Sequence, residues 1–377
     1  MKIAYTAGMM REGFDGVTRV LYKWNEMLVK KNIEHIFLSA DVPPEAEQTV
    51  PMHEVCSFPF PLYKNYRVAV PTPRSFDAVL NEFKPDIIHF NSPCPLAIAA
   101  LNYGRRHDIP VVATYHTHFL SYAKYYRLSA LTEACWSFYH RLYDQCAQVY
   151  VPSLPIMEEL HEGKLHNLVY LPHGVDTAQF NPSFHSAGWK TRIGAADAFT
   201  VLYAGRLVWE KDVHLLPEIS VGLRRKYGHV QFVLAGDGPA RAELERRMPD
   251  AVFLGHLSSS ELAEAYASSD VFVFPSRTET FGNVTLEAMA CGTVPVCASA
   301  GGAKDLIING INGFLSEPGE SAGFVRALGQ VMEHPEARAK LGENALLFAR
   351  EQSWERVVDR MLGLYAAAIG ASEAVAA

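Results

Sequence analysis

Short apolar runs that alternate with helical patterns constrain the fold of this chain more than any other feature of its sequence. Each run is rich in valine, isoleucine, tyrosine or phenylalanine and is bounded by glycine, proline, asparagine or serine, as strands are. Between the runs, apolar side chains recur at helical spacing, as over residues 16–30. Strands that are apolar throughout and alternate with helices are buried on both faces, so the pattern predicts an α/β fold with parallel sheets. The predicted strands are KIAYT, EHIFLS, DIIHF, VVATY, QVYVPS, LVYLP, TVLYAG, VQFVLAG, VFLG, DVFVFP and VPVCAS.

The pattern occurs twice, and a segment without clear periodicity separates the two occurrences. This segment, residues 173–199, is rich in Gly, Ala, Ser and Pro, and we expect a linker there. The sequence therefore predicts two doubly wound, Rossmann-like domains, over residues 1–180 and 190–355, followed by a terminal helix and tail over residues 356–377. Ligands of such sheets bind beyond the carboxyl ends of the strands, so we expect a site in the cleft between the domains.

Composition and charge narrow the class of protein. The chain has 377 residues, of which 49% are hydrophobic and 20% charged, as in soluble globular proteins, and its net charge of -7 argues against nucleic acid as a partner. The start, MKIAYTAGMMREG, lacks the apolar core of a signal peptide, and no run reaches the roughly 18–20 apolar residues of a membrane span. The cysteines form no CxxC pair and are predicted to be reduced core residues of a cytosolic protein: Cys56, Cys94, Cys135, Cys146, Cys291 and Cys297.

Four predicted strands end in polar or glycine-rich turns. In TAGMMREGFDGVTRV, glycines before a helix let backbone N–H groups approach an anion, although any loop could use them. In YAGRLVWEKDVHLL, Arg206 and Lys211 follow a buried strand and can neutralise a diphosphate. Two solvated surface charges are the simpler explanation for such a pair in isolation. The third turn, LAGDGP, is equally compatible with a tight turn that binds nothing.

The fourth turn, RTETFGNVTLEAMA, has a glutamate on either side of a glycine. Glu279 lies in the loop, and Glu287 lies in about the second turn of a helix that begins near Asn283. Carboxylates here could simply stabilise the positive end of the helix. That explanation leaves the intervening Phe281 and Gly282 unexplained, whereas backbone donors and carboxylate acceptors in one place suit a sugar or a ribose.

These motifs together resemble those of the retaining glycosyltransferases of family four, and the resemblance covers nearly the whole chain. The segments that carry it are GRLVWEK, LAGDGP, VFLGHLS, DVFVFPSRTETFGNVTLEAMACGTVPVCASAGG and INGFLSEPGE. The resemblance implies the GT-B fold, with an acceptor-binding first domain, a donor-binding second domain and a terminal helix that crosses back to the first. It also implies a retaining, metal-independent hexosyltransferase that needs no cofactor and uses GDP-mannose, UDP-glucose or a related nucleotide sugar as co-substrate.

The resemblance also implies roles for individual residues. Arg206 and Lys211 match the pair that grips the donor diphosphate. Glu279 matches the glutamate that faces the transferred sugar, and Glu287 the one that holds the ribose. His116, in TYHTHF, matches an active-site histidine and completes the catalytic set with Arg206, Lys211 and Glu279. The other implied donor-binding positions are Gly16, His256, Leu257, Phe281, Gly282, Asn283 and Val284, and the acceptor-side positions are Asp15, His118 and Tyr122.

Three positions depart from the family pattern. Asp15-Gly16 stands where a double glycine is usual, which leaves the contact of that loop with phosphate or acceptor open. Asp212 follows Lys211 where glycine is usual, and we expect it to cap the following helix. Asp305 replaces a common glutamate. A metal site at His116 and His118 would lack a third ligand.

Two further segments, PFPLYKNYRVAVP and YHTHFLSYAKYYRL…CWSFYHRLYDQCAQVYVPS, resemble a subgroup that contains glycolipid mannosyltransferases and sulfoquinovosyl-diacylglycerol synthases. This likeness implies a lipid or glycolipid acceptor and a cytoplasmic enzyme that associates with the inner face of the cytoplasmic membrane. Packing of an ordinary helix pair explains the same side chains equally well. The side chains suited to interfacial docking are Tyr115, Phe119, Tyr122, Lys124, Tyr125, Tyr126 and Arg127.

Three alternatives remain at this stage. The acceptor could be soluble or a polysaccharide precursor. A retaining glycosidase could use Glu279 and Glu287 as its carboxylate pair, which leaves the cationic pair and the glycine turns unexplained. A nucleotide-sugar-binding protein without catalysis would bind the donor and show no turnover.

Overall fold

The computed structural model of the protein describes residues 1–11, 16–60, 63–116 and 129–376. The chain divides into two compact units, and each is described by itself. The first unit comprises Met1–Pro172 and Trp354–Ala377, and the second comprises His173–Ser353.

The elements alternate along the chain as the apolar pattern predicts. The strands are β1 (Lys2–Ala7), β2 (Glu34–Ser39), β3 (Met52–Glu54), β4 (Ser57–Phe60), β5 (Tyr63–Ala69), β6 (Ile87–Phe90), β7 (Val111–Thr114), β8 (Gln148–Val151), β9 (Leu168–Tyr170), β10 (Phe199–Ala204), β11 (Val230–Ala235), β12 (Val252–Gly255), β13 (Val271–Phe274), β14 (Pro295–Ala298) and β15 (Phe314–Ser316). The helices are α1 (Gly16–Lys30), α2 (Ala78–Phe83), α3 (Pro95–His107), α4 (Ser129–Tyr143), α5 (Leu154–Glu162), α6 (Trp189–Arg192), α7 (Leu216–Tyr227), α8 (Arg241–Arg247), α9 (Ser259–Ser268), α10 (Asn283–Ala290), α11 (Ser321–Glu333), α12 (Pro335–Glu351) and α13 (Trp354–Ala376).

Each unit is built on a parallel sheet. The first unit has a seven-stranded sheet in the order β3-β2-β1-β6-β7-β8-β9, and β4 and β5 form a separate antiparallel hairpin. The second unit has a six-stranded sheet in the order β12-β11-β10-β13-β14-β15. Every run predicted as a strand contains a strand. The strands inside each sheet are largely buried because helices cover both faces, whereas the edge strands β9 and β12 are half-buried. The prediction of two doubly wound parallel α/β sheets is confirmed.

The segment expected to be a linker is packed into the second unit. Residues 173–199 contain a short helical turn, Pro182–Phe184, and the helix α6. Phe180 and Trp189 lie in the hydrophobic core of this unit. The side chains of Phe180 and Trp189 thus fix a segment that was predicted from its composition to be a linker.

The six cysteines are free thiols, and their burial agrees only in part with the prediction of core residues. Cys146, Cys291 and Cys297 are buried, whereas Cys56 is exposed. Among the described residues, the helices are all too short or too polar to cross a membrane.

The C-terminal helix belongs to the first unit, as predicted. In α13, Val358, Met361 and Tyr365 are buried in the same cluster as Tyr5 and Trp24. Helix α13 packs against α1 beside the first sheet. The chain therefore returns to its first unit after completing the second.

A buried polar network fixes this helix to the sheet. His89 Nδ1 lies 2.5 Å from Tyr365 Oη, and His89 Nε2 lies 2.8 Å from Thr114 Oγ1. Tyr5 Oη lies 3.1 Å from the same Tyr365 hydroxyl. Complete burial lowers the pKa of His89 to about 3, so its imidazole is neutral and pairs with a hydroxyl on each side.

We predict that Tyr365→Phe destabilises the first unit. The substitution leaves buried hydrogen-bonding groups of His89 and Tyr5 without the hydroxyl, at a cost of about 1–3 kcal/mol. Thermal unfolding should show a lower midpoint. Tyr227→Phe is the matched control because the Tyr227 hydroxyl bonds Glu333 at the surface of the second unit. Equal midpoints for the two variants would contradict a stabilising role of the network.

Candidate active site

Polar loops meet at the carboxyl edge of the second sheet. Strands β10 and β13 are neighbours there, and the strand order reverses between them. Ligands of open parallel sheets bind at such a reversal. The loops after these two strands, residues 205–212 and 275–282, contain five of the eleven predicted donor-binding residues, and the helix that follows the second loop contains three more.

Glycines in the turn after β11 allow two backbones to pack directly together. A Cβ atom on Gly236 would clash with the carbonyl oxygen of Gly205, and one on Gly238 would clash with that of Leu207. Leu207 N donates to Asp237 O at 2.9 Å across the same contact. The glycines of LAGDGP are therefore required by packing, which accounts for them without a ligand.

Three consecutive residues of the loop after β10 contact three consecutive residues of the loop after β13. The segments are 210–212 and 277–279. Because each of the three residues on one loop contacts a residue on the other, the two loops are held together at this point. The contacts are Thr278 Oγ1 donating to Glu210 O at 2.7 Å, Lys211 Nζ to Glu279 Oε2 at 2.6 Å, and Arg277 Nε to Asp212 Oδ2 at 2.7 Å.

The Lys211–Glu279 ion pair is the chemical centre of this arrangement. The side chains of Lys211 and Glu279 are 16% and 22% exposed, so both groups are largely withdrawn from water while remaining accessible. An ammonium and a carboxylate thus lie together where the strand order reverses. Their pairing was expected neither from spacing nor from the family resemblance.

Asp212 does not have the role expected from the sequence, and the capping prediction is wrong. Its backbone is left-handed, with φ 53°, and its buried carboxylate accepts hydrogen bonds from the N and Nε atoms of Arg277 at 3.2 and 2.7 Å. Helix α7 begins only at Leu216, after two short helical turns. The left-handed conformation explains why glycine is usual here, and aspartate is among the few residues that tolerate it.

Two more glycines shape the loop after β13. Gly302 N donates to Glu279 O at 2.7 Å, and a Cβ atom on Gly302 would clash with the backbone of Thr280 and Phe281. A Cβ atom on Gly301 would lie 2.5 Å from Glu279 O. The SAGG motif therefore presses directly against the backbone that presents Glu279.

The loop ends at the N-terminus of α10. Its N-cap residue is Gly282, with φ 107°, so the cap position offers the first N–H groups of α10 no side-chain acceptor. Helix N-termini of this kind favour anions. The helix begins at Asn283, as predicted, and Val284 is half-buried next to it.

The ribose-binding candidate, Glu287, lies on α10. Its side chain is half-buried, and its Oε2 atom accepts a hydrogen bond from Tyr266 Oη at 3.2 Å. Tyr266 is completely buried in the core of the second unit. A rigid aromatic side chain therefore fixes the direction of this carboxylate.

His173 is a site residue that the sequence did not single out. Its Nδ1 atom lies 3.0 Å from Asn283 Oδ1, and its ring lies 5.0 Å from that of Phe281. Burial lowers the pKa of His173 to about 4, although its bond to Asn283 and the charge of Glu279 act in the opposite direction. The neutral ring donates from Nδ1 and so fixes Asn283. The sequence feature that could have identified His173 is its position as a polar residue directly after the predicted strand LVYLP.

Other predicted donor-site residues lie at the surface of the second unit. Arg206 is exposed, and its carbonyl accepts a hydrogen bond from Tyr203 Oη at 2.9 Å. His256 is exposed and Leu257 is half-buried, directly after β12. Gly255 directly precedes His256, and its carbonyl accepts a hydrogen bond from Gly236 N at 2.7 Å. This bond connects the turn after β12 to the glycine turn after β11.

In the first unit, His116 follows β7 and is buried. Its Nε2 atom lies 3.1 Å from Asn91 Oδ1, and the Asn91 amide nitrogen donates to the carbonyls of Thr6 and His89, each at 3.4 Å. Because those two carbonyls fix the amide, His116 donates from Nε2. The centroid of the His116 ring lies 5.7 Å from that of the Trp24 ring, and this packing restricts the orientation of the imidazole plane.

A cavity of about 130 Å³ adjoins His116. It lies at the carboxyl ends of β1 and β6, where the order of the first sheet reverses. Gly16, the first residue of α1, is exposed. Asp15, His118 and Tyr122 lie outside the described residues. Residues that line the cavity include Gly8, Thr18, Tyr66, Asn91, Ser92 and His116.

The two parallel-sheet units, and the cation–carboxylate pair beside a glycine-capped helix in the second, define a GT-B enzyme that acts on nucleotide sugars. Residues 190–347 match the family described as glycosyl transferases group 1, and residues 14–179 match glycosyltransferase family 4. The chain belongs to family 4 of the glycosyltransferases. Members are retaining, metal-independent hexosyltransferases, and this is the reaction class of the chain.

Individual relatives agree with this assignment. A GDP-mannose-dependent alpha-mannosyltransferase of Corynebacterium glutamicum is 30% identical over 100% of this chain and 91% of its own length. The sulfoquinovosyl transferase SQD2 of Arabidopsis thaliana is 34% identical over 83% of this chain and 63% of its own. The structure of Anabaena Alr3699/HepE, solved with UDP and glucose, matches with a TM-score of 0.77 at 20% identity, over 97% of this chain and 100% of that one. The last likeness establishes the GT-B fold.

We predict that Gly302→Ala lowers transfer activity without unfolding the protein. The added methyl group must displace the backbone that carries Glu279, and a displacement of about 1 Å can cost on the order of 100-fold in rate. Steady-state kinetics and thermal unfolding measure the two effects. Gly188→Ala is the matched control, because a Cβ atom there would meet only Arg192 Nη1, at 3.9 Å. Wild-type kinetics for Gly302→Ala would contradict the packing argument.

We also predict an acid-sensitive contribution of His173 to stability. Between about pH 6.5, where an unfolded histidine gains its proton, and about pH 4, its pKa in the folded protein, the unfolded state binds the extra proton. The free energy of unfolding therefore falls as the pH falls through this window. The thermal midpoint of His173→Asn should depend less on pH there than that of the wild type. An unchanged pH dependence of the midpoint in His173→Asn would contradict this contribution.

Proposed function

We propose that the protein transfers a hexose from GDP-mannose, UDP-glucose or a related nucleotide sugar, with retention, to a hydroxyl of a lipid or glycolipid at the inner face of the cytoplasmic membrane. In this proposal the second unit binds the donor and the first unit binds the acceptor. The observation that carries the donor assignment is the Lys211–Glu279 pair beside the N-terminus of α10.

The donor diphosphate is assigned to Lys211, Arg206 and the N-terminus of α10. Negative charge grows on the leaving phosphate as the glycosidic bond breaks. Cations and backbone N–H groups aimed at that phosphate stabilise the transition state more than the ground state. Arg206 is exposed and offers a planar fork of donors, whereas Lys211 is held in place by its carboxylate partner.

Lys211 can serve two partners at once. An ammonium group has three N–H donors, so one can bond Glu279 while others bond phosphate oxygens. Glu279 keeps its second oxygen for hydroxyls of the transferred sugar. Glu287, directed by Tyr266, is assigned to the ribose hydroxyls. Phe281, Gly282, Asn283 and Val284 present the backbone between these two carboxylates.

The acceptor side is assigned to His116 and the cavity beside it. The hydrogen bond to Asn91 fixes the orientation of the imidazole, and the cavity brings the hydroxyl of Ser92 and the phenol of Tyr66 near it. Neutral polar groups of this kind suit an alcohol acceptor. Asp15, His118 and Tyr122 remain proposed acceptor-side residues on the family resemblance.

A lipid acceptor is supported by the hairpin of β4 and β5. Its sequence carries the likeness to the glycolipid subgroup, and its Phe58 and Phe60 are 48% and 38% exposed. Aromatic side chains exposed on a small hairpin suit the interface of a membrane. For the donor, GDP-mannose is the first candidate because the mannosyltransferase relatives align over nearly their whole length.

The test is transfer from GDP-mannose and from UDP-glucose to acceptors of two kinds. Vesicles that contain diacylglycerol or a monoglycosylated lipid represent the membrane acceptor, and a free hexose or disaccharide represents the soluble one. Glycolipid formation supports the proposal. Product only from the soluble acceptor would replace the lipid assignment, and donor binding without any product would favour a non-catalytic binding protein.

We predict that Lys211→Ala lowers kcat by about 100-fold or more, because one hydrogen-bond donor aimed at the charge that develops in a transition state is worth about 2.7–4 kcal/mol. The protein should remain folded, since the site lies at the edge of a completed sheet. Lys340→Ala is the control: Lys340 is 66% exposed and pairs with Glu343 on the same helix. Near-wild-type turnover of Lys211→Ala would refute the diphosphate assignment.

A further inference from the structure

Arg277 connects three of the family motifs. It is the second residue after the apolar stretch that ends in Pro275, and its N and Nε atoms donate to Asp212 in the GRLVWEK loop. Its Nη2 atom lies 3.1 Å from where a Cβ atom on Gly319 would be placed, in the turn of INGFLSEPGE. Gly319 has φ 82°, so this turn also requires glycine. None of the donor-site assignments above uses Arg277.

The partner of Arg277 occupies an unfavourable position. Asp212 is 1% exposed, so its carboxylate has given up nearly all contact with water. Its left-handed backbone adds strain that a glycine would avoid. A buried carboxylate and a strained backbone at one residue both oppose folding, and a purely structural turn would be served better by glycine. In return, Asp212 Oδ2 accepts the two hydrogen bonds from Arg277, while Asp212 Oδ1 lies 4.0 Å from His214 Nδ1.

The position of Arg277 relative to Glu279 shows what the contact controls. Arg277 lies two residues before Glu279, and Thr278 between them is bonded to the carbonyl of Glu210. Lys211 lies one residue before Asp212. The Asp212–Arg277 bond therefore lies directly beside the contact that places Lys211 Nζ 2.6 Å from Glu279 Oε2 and joins the same two loops.

We infer that Asp212 and Arg277 are positioning residues for the transfer reaction: their ion pair locks the loop after β13 to the loop after β10, so that Lys211 and Glu279 point at the donor together. This inference rests on the donor-site roles proposed for Lys211 and Glu279. The pair acts through those residues. It restricts the loops before the donor arrives, so that the reaction does not have to order them.

The experiment compares Asp212→Gly and Asp212→Asn with the wild type. Glycine removes the carboxylate and relieves the strain, so the thermal midpoint should stay close to that of the wild type. The misaligned loops should nevertheless lower kcat by about 100-fold, with a much smaller change in the KM of the donor. Asparagine tolerates the left-handed backbone and keeps one acceptor oxygen, so Asp212→Asn should recover part of kcat.

Arg277→Ala and the double variant Asp212→Gly/Arg277→Ala test whether the two residues act as one unit. The double variant should lose no more activity than the more impaired single variant, because either change breaks the same contact. Arg192→Ala is the matched control, since Arg192 makes a surface ion pair with Glu264 at 2.7 Å in the same unit. It should keep the wild-type kcat.

Two results would overturn the inference. One is a wild-type kcat for Asp212→Gly in a folded protein, and the other is additive losses in the double variant, which would mean that Arg277 acts independently of Asp212. The Lys211→Ala variant separates these results from failure of the underlying assignment. If Lys211→Ala is inactive while Asp212→Gly is fully active, only the positioning role is wrong. If Lys211→Ala is fully active, the donor site itself has been misassigned.

Discussion

Close packing of backbone against backbone at the carboxyl edge of the second sheet is the constraint on which the candidate site depends. Gly236, Gly238 and Gly302 each occupy a place where a Cβ atom would clash with a neighbouring backbone. Peptide groups therefore hold the loops directly, through bonds such as Gly302 N to Glu279 O. Loops that are fixed in this way can present Lys211 and Glu279 with little freedom. Electrostatic catalysis depends on such preorganisation.

The strands show which part of the fold could be predicted from the sequence. Most strands were predictable because they are largely apolar, and EHIFLS and VFLG match their observed bounds. The strands β3 and β15 were not identified. Each has only three residues at a sheet edge and includes polar residues (MHE and FLS), whereas the equally short edge strand β9, which was predicted, is LVY. The hairpin of β4 and β5 was recognised only as a family-like segment, because prolines interrupt its alternation.

The candidate site was predictable to the extent that it consists of local motifs. The start of α10 at Asn283 and the loop position of Glu279 follow from a strand, a glycine turn and a helix in direct succession. The roles of Asp212 and His173 depend instead on partners far away in sequence, Arg277 and Asn283. A local rule assigned Asp212 to a helix cap because aspartate before a helical pattern is usually one. Only the fold shows that its carboxylate is directed to another loop.

The partners of the two glutamates also distinguish a transferase from a glycosidase within the site itself. A retaining glycosidase directs two carboxyl groups at one glycosidic bond, and one of them must deliver a proton. Here Glu279 is bonded to the ammonium of Lys211, and Glu287 is bonded to the phenol of Tyr266 on α9. Different elements therefore hold the two carboxylates, as the different roles proposed for them require. A leaving group that is already a phosphate needs cations more than it needs a proton, because the charge that develops on it is negative. In the proposed donor site, Lys211 supplies that cation next to Glu279, the carboxylate proposed to bind the sugar.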